Sequence, residues 1–163
     1  MVYCILGRTK YNRMKILLST ALLSGLLATS AYGQHMTPIT SNGAPKAIGP
    51  YSQAIRTGNL IYTSGQIGLS PVTNALAGDD ISSQTEQVLK NLKAVIEEAG
   101  SDMKHVVKAT VYLKNLDDYA KVNEIYKDYF PETKPARSAV QVVRLPKDAL
   151  IEIECVTEVM NKK

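Results

Sequence analysis

Apolar residues recur along this chain with two different periods, and the switches between them mark out its elements. Ile81, Val88, Leu89, Leu92, Val95, Ile96 and Ala99 fall on one stripe at helical spacing, which predicts a helix from Ile81 to Ala99. Asp80 is placed to cap it and Gly100 to end it. The period then drops to two: Val107, Ala109, Val111 and Leu113 alternate with Lys108, Thr110 and Tyr112, as in a half-buried strand over Val106 to Leu113. A second helix is expected from Asp117 to about Tyr129, capped by Asn115, favoured by two aspartates at its positive end and stopped by Pro131. Its buried stripe would hold Tyr119, Val122, Tyr126 and Tyr129, with Asn123 on the edge.

Before the first helix, Tyr51 to Ile67 reads as two strands around a Gly58-Asn59 turn, followed by an aperiodic surface loop from Gly68 to Gly78. Two more strand patterns, Arg137 to Val143 and Leu150 to Met160, close the chain, joined by a loop that carries Pro146. The order β-β-α-β-α-β-β, with another short strand near Ile39, implies an α+β fold: a mixed sheet with two helices on one face. The other face would then present Tyr62, Val140, Val142, Ile151 and Ile153, more apolar surface than the helices cover, and self-association is the expected use of that surplus.

Composition changes this picture mainly at the N-terminus. Met14 and Lys15 precede a charge-free apolar run from Ile16 to Ala31 that ends in small residues, the pattern of a secretory leader. The run is shorter than the roughly 20 residues of a membrane span, and no second such run follows, so no membrane partner is expected after cleavage. Residues 1–33 are therefore read as a signal peptide, with Met1–Arg13 as an upstream extension, and 34–163 as a single domain in the periplasm or outside the cell. Cleavage fits after Gly33 or after Ala31.

The leader holds Arg8, Lys10, Arg13 and Lys15 and no acid, so without it the 19 basic residues fall to 15, equal to the 15 acidic ones. The net charge of +4, which would otherwise invite a nucleic-acid reading, disappears with it. Only Cys155 would survive cleavage, in an apolar strand pattern that favours an inert buried thiol, and an internal disulfide is then excluded. His35 and His105 lack ligand spacing, so no metal site is expected.

The chemistry centres on Arg137. In Pro135-Ala136-Arg137-Ser138 it opens a strand among Ala136, Ala139 and Val140, which read as interior, and an arginine there needs an anionic partner. A guanidinium fork held on a strand suits bidentate capture of a carboxylate. Two readings follow from Ile151-Glu152-Ile153-Glu154, whose glutamates share one face. One of them pairs with Arg137 as an internal ion pair, or Arg137 binds a ligand carboxylate while a glutamate serves water.

Four motifs in order carry a family resemblance: I-G-P-Y-S-Q at 48 to 53, T-S-G-Q at 63 to 66, P-A-R-S at 135 to 138, and R-L-P-K-D at 144 to 148 followed by I-E-I-E at 151 to 154. Together they resemble the RidA group of reactive-intermediate deaminases, also called the YjgF or endoribonuclease L-PSP-like family. The resemblance spans nearly the whole of residues 34–163. It implies a chorismate mutase-like fold assembled as a homotrimer, with active sites in clefts between subunits. The implied activity is hydrolysis of 2-imino and enamine acids, such as 2-aminoacrylate and 2-iminopropanoate, to 2-keto acids and ammonia, without a cofactor.

Carried onto this chain, the resemblance makes Arg137 the holder of the substrate carboxylate and Glu152 the group that orients water or shuttles a proton. Tyr51, Ser64, Gly65 and Asn123 would line the cleft. The family often has cysteine after P-A-R-S where this chain has Ala139. Some relatives are not deaminases, which leaves a carboxylate-binding or chaperone-like trimer as the alternative, and ribonuclease activity as a weaker one.

Overall fold

The computed structural model describes residues 35–160 of the chain. The expected leader and its cleavage sites lie outside the described residues. In chain order the elements are β1 (Met36–Ile39), β2 (Ala54–Thr57), β3 (Leu60–Thr63), β4 (Gln66–Ile67), α1 (Ile81–Glu98), β5 (Val106–Leu113), α2 (Tyr119–Tyr129), β6 (Ala136–Gln141) and β7 (Ile151–Glu158). They form one sheet in the order β1-β2-β3-β7-β5-β6, with the short β4 also paired to β7. All pairings are antiparallel except β5 with β6. The expected α+β architecture is present, with both helices on one face.

Local chemistry accounts for the helix limits. The Asp80 carboxylate accepts from the backbone N–H groups of Ser82 and Ser83, both at 2.9 Å, satisfying two donors that the first turn cannot. The buried stripe of α1 includes Val88, Leu89, Leu92 and Ile96, none of them solvent-exposed, each contributing about 1.5–3 kcal/mol by burial. It packs on Ala109, Val111 and Leu113 of β5 and on Ile151, Ile153 and Cys155 of β7. Asn115 accepts from Asp117 N–H as expected, but the turn it caps is a short 3-10 segment, Leu116–Asp118, and α2 proper begins at Tyr119. The β2–β3 hairpin turns through Gly58 and Asn59, and Gly58 takes the positive φ of 57° that such a tight reversal demands and a side chain would oppose.

Several expectations are corrected by the packing. Val107 is 48% exposed while Val106 is buried, because a bulge between Val106 and Lys108 resets the alternation of β5. Tyr119 and Tyr129 are not fully buried; only Val122 and Tyr126 of the α2 stripe are. Ile151 and Ile153 face the helices, so the bare face is less apolar than the pattern implied: Tyr62 and Val140 stand exposed there among Lys108, Thr110 and Glu154.

The Gly68–Gly78 loop is also more than surface, since Leu69 is buried in a small separate core with Ile67, Leu145 and Ala149. Two buried amides on α1 hold this region. Asn91 donates to the carbonyls of Ile67 (3.2 Å) and Leu69 (2.9 Å), while Gln84 donates to Gly78 O and accepts from Leu150 N, both at 2.8 Å. Such buried polar side chains are tolerated because each is paired.

Candidate functional site

Six residues were expected to line one cleft, and the sheet separates them into two groups. Glu152 stands opposite Tyr112 on β5, on the bare face, because its neighbours Ile151 and Ile153 point into the core. Arg137 stands opposite Ala109, which is buried beneath the helices, and so projects from the helix-covered face of β6. One strand pleat thus forbids an ion pair between Arg137 and Glu152 of the same chain. The internal-pair reading of Arg137 fails for Glu154 as well, since Glu154 shares the bare face and accepts instead from the Tyr112 hydroxyl at 3.1 Å.

The first group surrounds a pocket of about 330 Å³ that contains Tyr51, Ser64, Gly65 and Glu152, with Pro45, Ile67, Leu69 and Pro146 among its walls. Its rim is set by Gln53, a buried residue whose amide accepts from Ser41 N (2.6 Å) and donates to Pro45 O (2.7 Å) and Ser41 O (3.2 Å). Those bonds fold the chain before β2 back over the sheet. Ser64 is fixed in the same way: its N–H donates to Gln53 O at 2.9 Å and its hydroxyl to Ser52 O at 2.6 Å, leaving the hydroxyl oxygen free to accept. The Tyr51 hydroxyl accepts from Ile48 N–H at 3.2 Å and keeps its own proton to donate.

Glu152 is half-buried here. Loss of hydration, and then the neighbouring Glu154 carboxylate, raise its pKa above the ordinary glutamate range. Gly65 makes room for it, because a Cβ at that position would lie 2.7 Å from Glu152 Cδ and overlap the carboxylate. Gly65→Ala is therefore expected to cost about 1–3 kcal/mol by overpacking and to push the carboxylate toward solvent. Carboxyl-carbon NMR titration should then show the Glu152 pKa falling back toward the ordinary range.

The second group holds Arg137 and Asn123 in a pocket of about 460 Å³ between α2 and the start of β6, with Tyr119, Tyr126 and Phe130 among its walls. No carboxylate pairs with Arg137 among the described residues. Its Nη2 donates to the Tyr119 hydroxyl at 2.7 Å, and its Cζ lies 4.6 Å from the Tyr126 ring centroid and 5.2 Å from that of Tyr119. Tyr126 in turn stacks on Phe130, with centroids 4.4 Å apart. The expected interior setting of Arg137 is corrected: β6 is an edge strand, on which Ala136 and Val140 are exposed and Arg137 is partly buried. The Tyr126 hydroxyl is buried without a hydrogen-bond partner among the described residues, and burial holds its pKa well above the usual phenol range.

Sequence reasoning missed Gln53, Pro146 and the aromatic setting of Arg137. Gln53 carried a signal as the last residue of I-G-P-Y-S-Q, whereas Tyr119 and Tyr126 looked like ordinary members of a helix stripe. Cys155 is buried, as its strand pattern implied, and burial pushes its thiol up to about 12, so it stays protonated and unreactive at neutral pH. Among the described residues no group of three or more histidine, cysteine, aspartate or glutamate side chains is placed to hold a metal ion.

A mixed sheet covered by two helices on one side, with a carboxyl-bearing pocket on the bare side and an arginine pocket at the helix-covered edge, defines a class of small α+β proteins. The chain belongs to the RidA/YjgF family: the family model described as endoribonuclease L-PSP matches residues 41–159. A RutC family protein of Pyrococcus abyssi is 56% identical over 118 residues, covering 72% of this chain and 93% of that protein. The chloroplastic Reactive Intermediate Deaminase A of Arabidopsis thaliana is 46% identical over 130 residues, 80% of this chain and 70% of that one. Among solved structures, that of E. coli TdcF with bound serine is 41% identical with a TM-score of 0.73, over 76% of this chain and 99% of that chain.

Proposed function

We propose that the protein hydrolyses short-lived 2-imino and enamine acids, with 2-aminoacrylate and 2-iminopropanoate as the type substrates, to 2-keto acids and ammonia, at sites completed between copies of the chain. The observation that carries this reading is the unpaired Arg137. A guanidinium held by neutral aromatic groups keeps its charge for a ligand, and charge-assisted bonds to a carboxylate are worth about 1.5–3 kcal/mol each. The relative named as a reactive-intermediate deaminase and the serine in TdcF support a small amino-acid-like substrate.

In this reading Arg137 grips the substrate carboxylate and thereby fixes the neighbouring C2. An enamine first takes a proton at carbon to become the iminium, C=NH2+, the protonated form in which a 2-imino acid also reacts. Water then adds to C2; a new C–O bond forms while the C=N π pair moves to nitrogen, which takes up a proton. The C–N bond breaks next, its electron pair leaving on nitrogen as ammonia, and the oxygen closes to a carbonyl as it gives up its proton. Glu152 orients the water and passes its proton toward the leaving nitrogen, a task suited to a half-buried carboxyl whose hold on a proton is strengthened by lost hydration and by Glu154. Tyr51, Ser64 and Gly65 shape that pocket, and Asn123 lies beside Arg137.

Arg137 and Glu152 lie on opposite faces of one sheet, so one chain's arginine serves another chain's glutamate. A homotrimer is the assembly we infer, with the exposed Tyr62 and Val140 of the bare face turned toward neighbouring copies. The N-terminal pattern adds export to the periplasm or beyond. Mass analysis of the native N-terminus should find Tyr32 or Gln34 first, and an intact Met1 or Met14 in a cytosolic fraction would overturn export.

The catalytic reading is tested with imines generated in place by an amino-acid oxidase. The protein from Gln34 onward should accelerate ammonia release over buffer, and Arg137→Ala should lose about 100-fold or more, the equivalent of its carboxylate bonds. Wild-type protein no faster than buffer would end the proposal.

A further inference from the structure

We infer that Tyr119 is a positioning residue for the substrate carboxylate: its hydroxyl and ring orient the Arg137 guanidinium while leaving its charge uncompensated. This rests on the deaminase reading of the same site. Functional arginines are commonly held by a carboxylate, which fixes the fork but also offsets its charge. Here the 2.7 Å bond from Nη2 to the Tyr119 oxygen supplies the direction, and the faces of Tyr119 and Tyr126 supply cation–π attraction from neutral groups.

Only one of the five guanidinium N–H donors is spent on Tyr119, so a two-bond edge remains for a carboxylate. The two tyrosines come from successive stretches of one helix, Tyr119 at its first residue and Tyr126 two turns on, so α2 acts as a rack against which the edge-strand arginine is laid. Tyr119 is 39% exposed, and its hydroxyl has no bond other than the one from Arg137 among the described residues. The oxygen is not otherwise needed to hold the fold.

The test compares wild type with Tyr119→Phe, which keeps the ring and loses the acceptor, and Tyr119→Leu, which loses both. Imine turnover should show KM raised about 10-fold or more for Tyr119→Phe, as expected for one lost hydrogen bond to a charged group, with kcat little changed. Tyr119→Leu should raise KM further. Pyruvate, the product-like carboxylate, should lose affinity in step when titrated calorimetrically into each protein, while thermal midpoints stay close to wild type.

Wild-type KM and pyruvate affinity in both variants would overturn the inference, as would a fall in kcat at unchanged KM. The wild-type arm judges the parent reading separately: protein that neither turns over imine nor binds pyruvate removes the deaminase site and this role with it. Wild-type activity with unaffected variants removes only Tyr119.

Discussion

Mixing two inactive variants, Arg137→Ala and Glu152→Gln, should restore deaminase activity. Each site in the proposed assembly takes its arginine from one copy and its glutamate from another. In a mixed population an intact site forms wherever a Glu152→Gln chain supplies Arg137 to an Arg137→Ala chain that supplies Glu152. Random association at equal amounts makes about a quarter of the sites intact, so about a quarter of wild-type activity should return. The two proteins are mixed under mild denaturant, refolded together and assayed beside each parent refolded alone. The prediction comes from the pleat: Arg137 shares a face with Ala109, and Glu152 shares the other with Tyr112. If the two groups met within one chain, no mixture could recover anything, and activity at the level of the parents would exclude the shared site.

Glu152→Gln should separate activity from stability. The variant keeps the shape of the side chain and loses the titrating group, so turnover should fall by about 100-fold or more if a carboxyl must take and deliver the proton. Stability should move the other way. Burial and Glu154 raise the pKa of Glu152 in the folded chain, so the folded state holds its proton more tightly than the unfolded state does. Below the ordinary glutamate pKa both states are protonated, and the variant and wild type should be similarly stable. As pH rises from that value through the raised one, the unfolded chain ionises first and wild type loses stability relative to the variant.

Above the raised pKa the difference should be constant and in favour of Glu152→Gln. Urea titrations across the acidic to neutral range read it directly. A variant less stable than wild type at neutral pH would mean that Glu152 is held ionised by a partner, and its role as a poised proton carrier would be lost.

Most of the fold was legible because it rests on short-range pattern. The seven-residue stripe of α1, its Asp80 cap and the alternation of β5 each depend on neighbours a few positions away, and the structure places them within a residue or two of expectation. Where pattern misled, a longer-range fact intervened. A single bulge moved Val107 to the surface, and the direction of β7 put Ile151 and Ile153 under the helices. Asn91 and Gln84, polar residues on a buried stripe, make sense only beside the carbonyls they satisfy.

The candidate site follows the same division. From the sequence alone come its residue types: an arginine on a strand, a pair of glutamates sharing one face of the last strand, and the Gly-Pro-Tyr and Ser-Gly segments that the family motifs bring to it. Which of them can meet is decided by the sheet, because strand order and pleat determine the face from which each side chain leaves. They part Arg137 from Glu152, lay the arginine against Tyr119 and Tyr126, and set the glutamate over Gly65, where no side chain fits. Alternation within a strand is written locally, whereas the relative orientation of two strands is a property of the folded chain.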